Sequence, residues 1–124
     1  MPVQTEGNYL GDWLKHEEDN LYSRDKVTVV LGQNLKTGTV VGIITASSKV
    51  TQLAPAAADG SEKAAGVLLL DVDASAADAP GVIIARHAIC AENALVWPEG
   101  ITGPQKATAI TQLKDLGILV REGA

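Results

Sequence analysis

His87 and Cys90 are the residues whose types and spacing come nearest to nucleophilic chemistry. A cysteine becomes a nucleophile when an adjacent histidine takes the proton of its thiol. Both residues belong to an apolar run, residues 81–90, whose length and β-branched content predict a strand. Residues three apart in a strand point to opposite faces, and their backbones lie about 10 Å apart. We therefore expect no contact between them, and we expect Cys90 to be a buried packing residue.

Three aspartates, Asp71, Asp73 and Asp78, match the spacing of a calcium-binding loop only in part. Such a loop needs glycine at its sixth position and glutamate at its twelfth. Ala76 stands at the sixth position, so we interpret the three carboxylates as solvated loop residues. The glycines at positions 32, 38 and 42 form no phosphate-binding pattern. The sequence therefore indicates no catalytic residue, no metal and no cofactor.

The elements that would position any site are mostly strands. Apolar runs bounded by Gly, Pro or Asx turns predict strands at residues 26–31, 39–45, 49–53, 67–70, 81–90 and 118–121. Turn composition marks residues 32–34, 36–38, 47–48 and 59–60. Gly42, inside a predicted strand, indicates a bulge or a close approach of two backbones.

One helix is predicted over residues 104–116. Pro104 suits its first position and Gly117 its left-handed stop, and Ile110, Leu113 and Leu116 form the apolar stripe. The predicted fold class is mostly β: a β-rich small domain with one short C-terminal helix and an extended N-terminal arm.

The run at residues 67–70 is apolar without interruption. A strand with apolar side chains on both faces must be covered on both sides, by its own domain or by another chain. The chain has no Phe and only 3% aromatic residues, so its core must be built from Val, Ile, Leu and Ala. We therefore expect association between subunits to contribute to stability.

Length and charge limit the class of protein. A chain of 124 residues fits one domain. No run approaches the ~20 apolar residues that cross a bilayer, and a single cysteine excludes an intrachain disulfide. The net charge of −5 lacks the basic surface that nucleic-acid binding requires. We expect a soluble protein with neither a nucleic-acid nor a membrane partner.

The first 25 residues differ from the rest in composition. They contain six acidic and two basic residues, a net charge of −4, and three of the four aromatic side chains. Gly7 and Gly11 disfavour an isolated helix, although Tyr9, Trp13 and Leu14 could share a helical face. Disordered tails usually have few aromatic residues. We therefore divide the chain into an arm, residues 1–25, and a β-rich domain, residues 26–124, and expect deletion of residues 1–22 to leave the domain's melting temperature nearly unchanged.

With these features described, the chain resembles the head decoration proteins of lambda-type bacteriophages over nearly its whole length. The order and spacing of several segments carry the resemblance: Glu6-Gly7, Gly11-Asp12-Trp13-Leu14, Ser23-Arg24-Asp25-Lys26-Val27-Thr28-Val29, Gly32-Gln33-Asn34-Leu35, Gly38-Thr39-Val40-Val41-Gly42-Ile43-Ile44-Thr45, Asp59-Gly60, Ala65-Gly66-Val67-Leu68, Asp71-Val72-Asp73-Ala74, Arg86-His87-Ala88, Leu95-Val96-Trp97-Pro98-Glu99, and the Leu-Gly-Ile-Leu-Val-Arg ending at Arg121.

The resemblance implies a β-clip-like domain that forms a homotrimer on the three-fold and quasi-three-fold positions of an expanded capsid. Such cement proteins bind the major capsid protein late and hold the head together against the pressure of packaged DNA. Their N-terminal arm is mobile in the free protein and pairs with capsid strands on the shell. The resemblance places the protein on the virion exterior, after synthesis in the host cytoplasm. This arm is longer and more acidic than that of the lambda protein.

From this resemblance we assign two sets of residues. Capsid binding is assigned to the arm residues Tyr9, Leu10, Trp13, Leu14, Tyr22, Ser23 and Arg24. Trimer packing is assigned to Val67, Leu68, Leu69, Leu70, Trp97 and Pro98.

Two other functions are compatible with the sequence. One is a small trimeric β-clip enzyme subunit, whose site would draw on Asp59, His87 and Glu92. The other is a generic binding module of a larger assembly. A neighbouring major capsid gene would favour decoration.

Overall fold

The computed structural model describes residues 13–17 and 23–122. Within them the chain is mostly β, with one α-helix near its C-terminus, so the predicted fold class is confirmed. In chain order the elements are β1 (Leu14–Glu17), β2 (Arg24–Val29), β3 (Gln33–Leu35), β4 (Val40–Ile43), β5 (Val50–Gln52), β6 (Gly66–Leu68), β7 (Val72–Ala74), β8 (Ala79–Ile84), β9 (Ala88–Ala91), a 3-10 turn (Glu92–Ala94), α1 (Gly103–Asp115) and β10 (Ile118–Arg121).

Five strands close into a barrel in the order β2-β5-β4-β6-β8. Each contributes one side chain to an apolar cluster that we call the barrel core: Val29, Val50, Val41, Leu68 and Ile83. Strand residues alternate between faces, so the neighbours Val40, Val67 and Ile84 point outwards into a second cluster, the outer core. The apolar run at residues 67–69 is therefore covered on both faces by its own chain.

The outer core is closed by the second sheet and the helix. β9 lies between β1, which is antiparallel to it, and β10, which is parallel. Cys90 from β9, Leu113 from α1 and Ile118 from β10 are all fully buried there. The remaining pair, β3 with β7, is a two-stranded ribbon beside the barrel. Among the described residues, no helix is long and apolar enough to cross a membrane.

The helix begins and ends where the sequence predicts, within one residue. Thr102 and Gln105 form a reciprocal capping box, and Gly117 has a φ of 82° just beyond the end. Of the predicted apolar stripe, Ile110, Leu113 and Leu116, only Leu113 is fully buried in the structure. Ala109 and Leu113 are the buried residues, whereas Leu116 is partly exposed.

The predicted close approach at Gly42 is confirmed. A Cβ on this residue would lie 2.4 Å from the backbone oxygen of Ser61. Real Cβ atoms do not come this close, so β4 can pass the 60–62 turn only with glycine at this position.

Two local predictions are wrong. Residues 81–90 are not one strand, because the chain leaves the barrel after Ile84 and enters the second sheet at Ala88, with His87 at a φ of 54° between them. Residues 32–34 are predicted as a turn, but Gln33 and Asn34 belong with Leu35 to β3 because all three pair with β7, a strand 37 residues or more further along the chain. Tertiary pairing outweighs local turn propensity here.

The expected effect of deleting residues 1–22 is also corrected. Trp13 is fully buried in the outer core, and Leu14 of β1 pairs with Cys90 of β9. The deletion would remove both, so it would remove part of the folded body. Of the predicted arm, residues 13–17 and 23–25 pack within the same unit as the domain; residues 1–12 and 18–22 lie outside the described residues.

Candidate functional site

The prediction that Cys90 is a buried packing residue is confirmed. Cys90 is fully buried in β9, and burial raises the pKa of its thiol to about 12. A thiol with such a pKa stays protonated near neutral pH and is a poor nucleophile. His87 stands in the turn before β9 rather than in the strand, with its ring against the position where Gly117 would carry a Cβ.

The carboxylates considered for an enzyme site have other partners. Asp59 Oδ1 accepts hydrogen bonds from the backbone N–H and hydroxyl of Ser61, which hold the pKa of this carboxyl below its usual range. Glu92 forms an ion pair with Lys106 at 3.1 Å. Within residues 13–17 and 23–122, no three His, Cys, Asp or Glu side chains come together as a metal site would require.

The aspartates of the partial calcium pattern each support a turn or a strand end. Asp71 accepts from the backbone N–H of Thr37 at 2.7 Å, and Asp78 accepts from that of Leu31 at 2.7 Å. Asp78 also forms an ion pair with Lys49, which together with the Leu31 N–H holds the pKa of its carboxyl low. Asp73 of β7 accepts from the backbone N–H of Ser75, just after the end of that strand.

Trp13 is the anchor of the N-terminal segment. Its indole N–H donates to the Thr37 hydroxyl at 3.0 Å, and that hydroxyl donates to the carbonyl oxygen of Leu69 at 2.6 Å. The ring also packs against Gly38, where a Cβ would lie 3.0 Å from the indole Cδ1. In this conformation the ring is inside the body and has no surface to offer a partner.

The other described members of the capsid-binding set make contacts within the chain, and their assignment to capsid binding stays a prediction. Leu14 packs against the outer core, and Ser23 is fully buried. Ser23 and Arg24 both donate hydrogen bonds to the carboxylate of Glu17. The hydrogen bond that Arg24 donates to this carboxylate raises the pKa of the guanidinium. This cluster ties the start of β2 to the end of β1. Tyr9, Leu10 and Tyr22 lie outside the described residues.

The trimer-packing set separates into buried and accessible members. Val67, Leu68 and Leu69 are buried in the chain's own cores, whereas Leu70 is 58% exposed. Trp97 is half-buried under the ammonium of Lys106, 5.2 Å from the ring centroid. The assignment to trimer packing stays a prediction, and Leu70, Trp97 and Pro98 are the members with exposed surface.

Leu70 borders a groove of about 420 Å³ beside β2 and β8, which we call the Leu70 groove. It is mostly apolar and is lined by Lys26, Val27, Leu70, Asp71, Val72, Pro80, Gly81 and Val82. The sequence pattern did not predict it, because its residues come from β2, β7, β8 and the β6–β7 connection. The one local signal was Leu70 itself, a leucine directly before the polar Asp71.

Thr37 was also missed, although it connects the anchor to the groove. Its hydroxyl holds Trp13, and its backbone N–H holds Asp71 on the groove rim. The residue stands in a predicted turn, Lys36-Thr37-Gly38, and nothing in the local sequence distinguishes it from a solvated turn threonine.

Comparison with known proteins identifies the chain's family. The family described as bacteriophage lambda head decoration protein D matches residues 3–118. A search among curated proteins found no match. Because the family match spans most of its length, the chain belongs to the bacteriophage lambda head decoration protein D family, a family of structural proteins of the phage capsid.

Proposed function

We propose that this protein is a capsid cement protein that binds the expanded phage head as a trimer at three-fold and quasi-three-fold sites and stabilises it against DNA pressure. The family match over residues 3–118 is the observation that carries the proposal. The partner is the major capsid protein, and the protein resides on the virion exterior after synthesis in the host cytoplasm. It acts by binding and not by catalysis.

The architecture suits a load-bearing body. Two apolar cores lie on opposite faces of the same barrel wall, and the described side chains leave no buried polar nitrogen or oxygen atom without a hydrogen bond. A body closed in this way deforms little under tension, since close-packed interiors transmit strain instead of absorbing it. The half-buried Trp97 and the neighbouring Pro98 remain candidates for the trimer contact, together with Leu70.

Residues 1–12 are the proposed capsid-engaging segment. Trp13 anchors them to the body through Thr37, so tension on the segment is passed directly into the outer core. A segment that adds a strand to a partner sheet gains backbone hydrogen bonds there, and its alternate side chains give specificity. Tyr9 and Leu10 supply the apolar contacts, and a trimeric base raises the effective concentration of the second and third arms.

No observation favours the enzyme alternative. Cys90 is buried with a raised pKa, and Asp59 and Glu92 are held by Ser61 and Lys106. The generic binding module is the less specific hypothesis, because the family match points to one assembly, the phage capsid.

The mass of the particle in solution distinguishes a trimer from a monomer. Light scattering coupled to gel filtration is expected to give three times the chain mass of 12.9 kDa at high protein concentration. The physical reason is that Leu70, Trp97 and Pro98 offer apolar surface that the described residues leave uncovered. A mass of one chain at every concentration would contradict a trimer that forms in solution. It would not exclude a trimer that forms only on the shell, which the cosedimentation experiment below addresses.

Cosedimentation with expanded phage shells tests the function. The protein is expected to pellet with the shells and to saturate at a fixed ratio to the major capsid protein. An unrelated small acidic protein serves as control for trapping in the pellet. Protein that stays in the supernatant at every shell concentration would refute the proposal.

A further inference from the structure

We propose that the side of β2 that faces away from β8, which we call the β2 edge, takes an extended, acidic segment of another protein as an added strand. β2 pairs with β8 along its whole length, but with β5 it forms only the pair Val29–Val50. The barrel is therefore open beside residues 24–28. A strand with one unpaired edge is a template for a further strand. The inference does not depend on capsid binding.

The backbone of β2 presents hydrogen-bonding groups at this edge. Lys26 pairs with Val82, whose carbonyl oxygen accepts from the N–H of Leu69 on the other side of β8 at 2.8 Å. Because bonding alternates between the two sides of an antiparallel strand, the N–H and carbonyl of Lys26 face away from β8. Thr28 faces the same way, opposite Pro80, which has no N–H to give. Among the described residues, no backbone hydrogen bond outside the strand ladders reaches Lys26 or the N–H of Thr28.

A cleft of about 400 Å³ lies along the β2 edge. It is lined by Lys26, Val27, Thr28, Ser47, Ser48 and Lys49. The carbonyl oxygen of Lys49 accepts from the N–H of Ile44 at 2.8 Å, so the chain before β5 turns towards β4 and does not continue along β2. Residues 24–28 extend over about 17 Å, which matches a strand of ordinary length.

Charge selects the kind of segment that fits. Both charged residues that line the cleft are lysines. Lys49 is paired with Asp78, whereas Lys26 is exposed and forms no ion pair with any residue in the described parts of the chain. A carboxylate opposite Lys26 on an added strand forms a favourable cross-strand pair. A second copy that adds through its own β2, centred on the same residue, brings one Lys26 against another, which is unfavourable.

Amide exchange and amide chemical shifts of the isotope-labelled full-length protein test the inference. The probe is a capped hexapeptide that alternates glutamate and valine. In the free protein the amides of Lys26 and Thr28 are expected to exchange faster than those of Asp25 and Val27, which face β8. The peptide is expected to shift the Lys26 and Thr28 signals saturably and to slow the exchange of both amides.

Reversing the charge at the edge is expected to reverse the preference. Lys26→Glu is expected to weaken binding of the acidic peptide about tenfold and to strengthen binding of the peptide that alternates lysine and valine. Lys114→Glu is the matched control, because Lys114 is an exposed lysine on α1 that does not line the cleft. It is expected to leave both affinities unchanged.

A second pair of variants tests the backbone. Thr28→Pro removes the N–H that faces the edge and is expected to abolish peptide binding, since proline is compatible with an edge strand when its nitrogen faces outwards. Thr28→Val keeps the N–H and is expected to bind like the wild type. If Thr28→Pro does not fold, the charge reversal at Lys26 decides the matter.

Slow exchange of the Lys26 and Thr28 amides in the free protein would overturn the inference, because the edge would then already be covered by the chain itself or by a second copy. Equal affinity for the acidic and the lysine peptide would overturn it as well. So would peptide-induced shifts confined to the Leu70 groove, or no shifts at any peptide concentration. Since no shells are used, this result is separate from that of the cosedimentation experiment.

Discussion

Trp13→Ala is expected to lower the free energy of unfolding by about 3–5 kcal/mol, the usual cost of removing a large buried aromatic side chain. The ring is fully buried in the outer core and its N–H bonds the Thr37 hydroxyl. Its loss leaves a cavity and weakens the tie between Thr37, Leu69 and Asp71. Denaturant unfolding followed by circular dichroism gives the free energy directly.

Trp97→Ala is the matched control for this substitution. Trp97 is half-buried and its N–H lies at 3.5 Å from the Glu92 carbonyl oxygen, a weaker bond than that of Trp13. Its truncation is expected to cost clearly less than that of Trp13. A Trp13→Ala cost below about 0.5 kcal/mol, the range of surface substitutions, would show that residue 13 is not part of the folded body.

Two N-terminal deletions are expected to separate binding from folding. Deletion of residues 1–12 is expected to weaken binding to expanded shells at least tenfold, roughly the 1.4 kcal/mol that one or two strand-pairing contacts supply. It leaves Trp13, β1 and the Glu17–Arg24 pair in place. Its melting temperature is therefore expected to change by no more than about 5 °C.

Deletion of residues 1–22 is the contrasting variant, because it removes Trp13 and β1 as well. It is expected to lose the cooperative transition of the wild type, as measured by differential scanning calorimetry. If the protein without residues 1–12 binds shells as tightly as the wild type, residues 1–12 have no role in capsid binding. A 1–22 deletion that melts like the wild type would contradict the placement of Trp13 in the core.

The sequence predicted those elements whose signals are local. The helix carries a cap, an early proline and a terminal glycine within its own residues, so its bounds could be predicted closely. The strands around Val27, Val41 and Leu119 were recognisable because β-branched and apolar runs of strand length stood between turn residues. Gly42 was recognisable because glycine inside such a run often marks a bulge, a bend or a close backbone approach, and the structure shows the last of these.

The missed features depend on contacts between distant parts of the chain. β3 exists because Gln33 and Leu35 pair with β7, and the division of residues 81–90 follows from the passage between two sheets. Trp13 was placed with the arm because its neighbours are acidic and glycine-rich. Its hydrogen-bond partner Thr37 is 24 residues further along the chain, and no local sequence pattern predicts a bond between them.

The central claim is that this protein decorates the phage head, and an electron cryomicroscopy reconstruction of expanded shells incubated with it tests that most directly. The account predicts additional density at the three-fold and quasi-three-fold positions, three copies at each, absent from shells incubated without the protein. The barrel and α1 should fit that density, and a connection from Trp13 to the shell surface should mark residues 1–12. Shells that remain bare at saturating protein, or density confined to other positions of the lattice, would contradict the account.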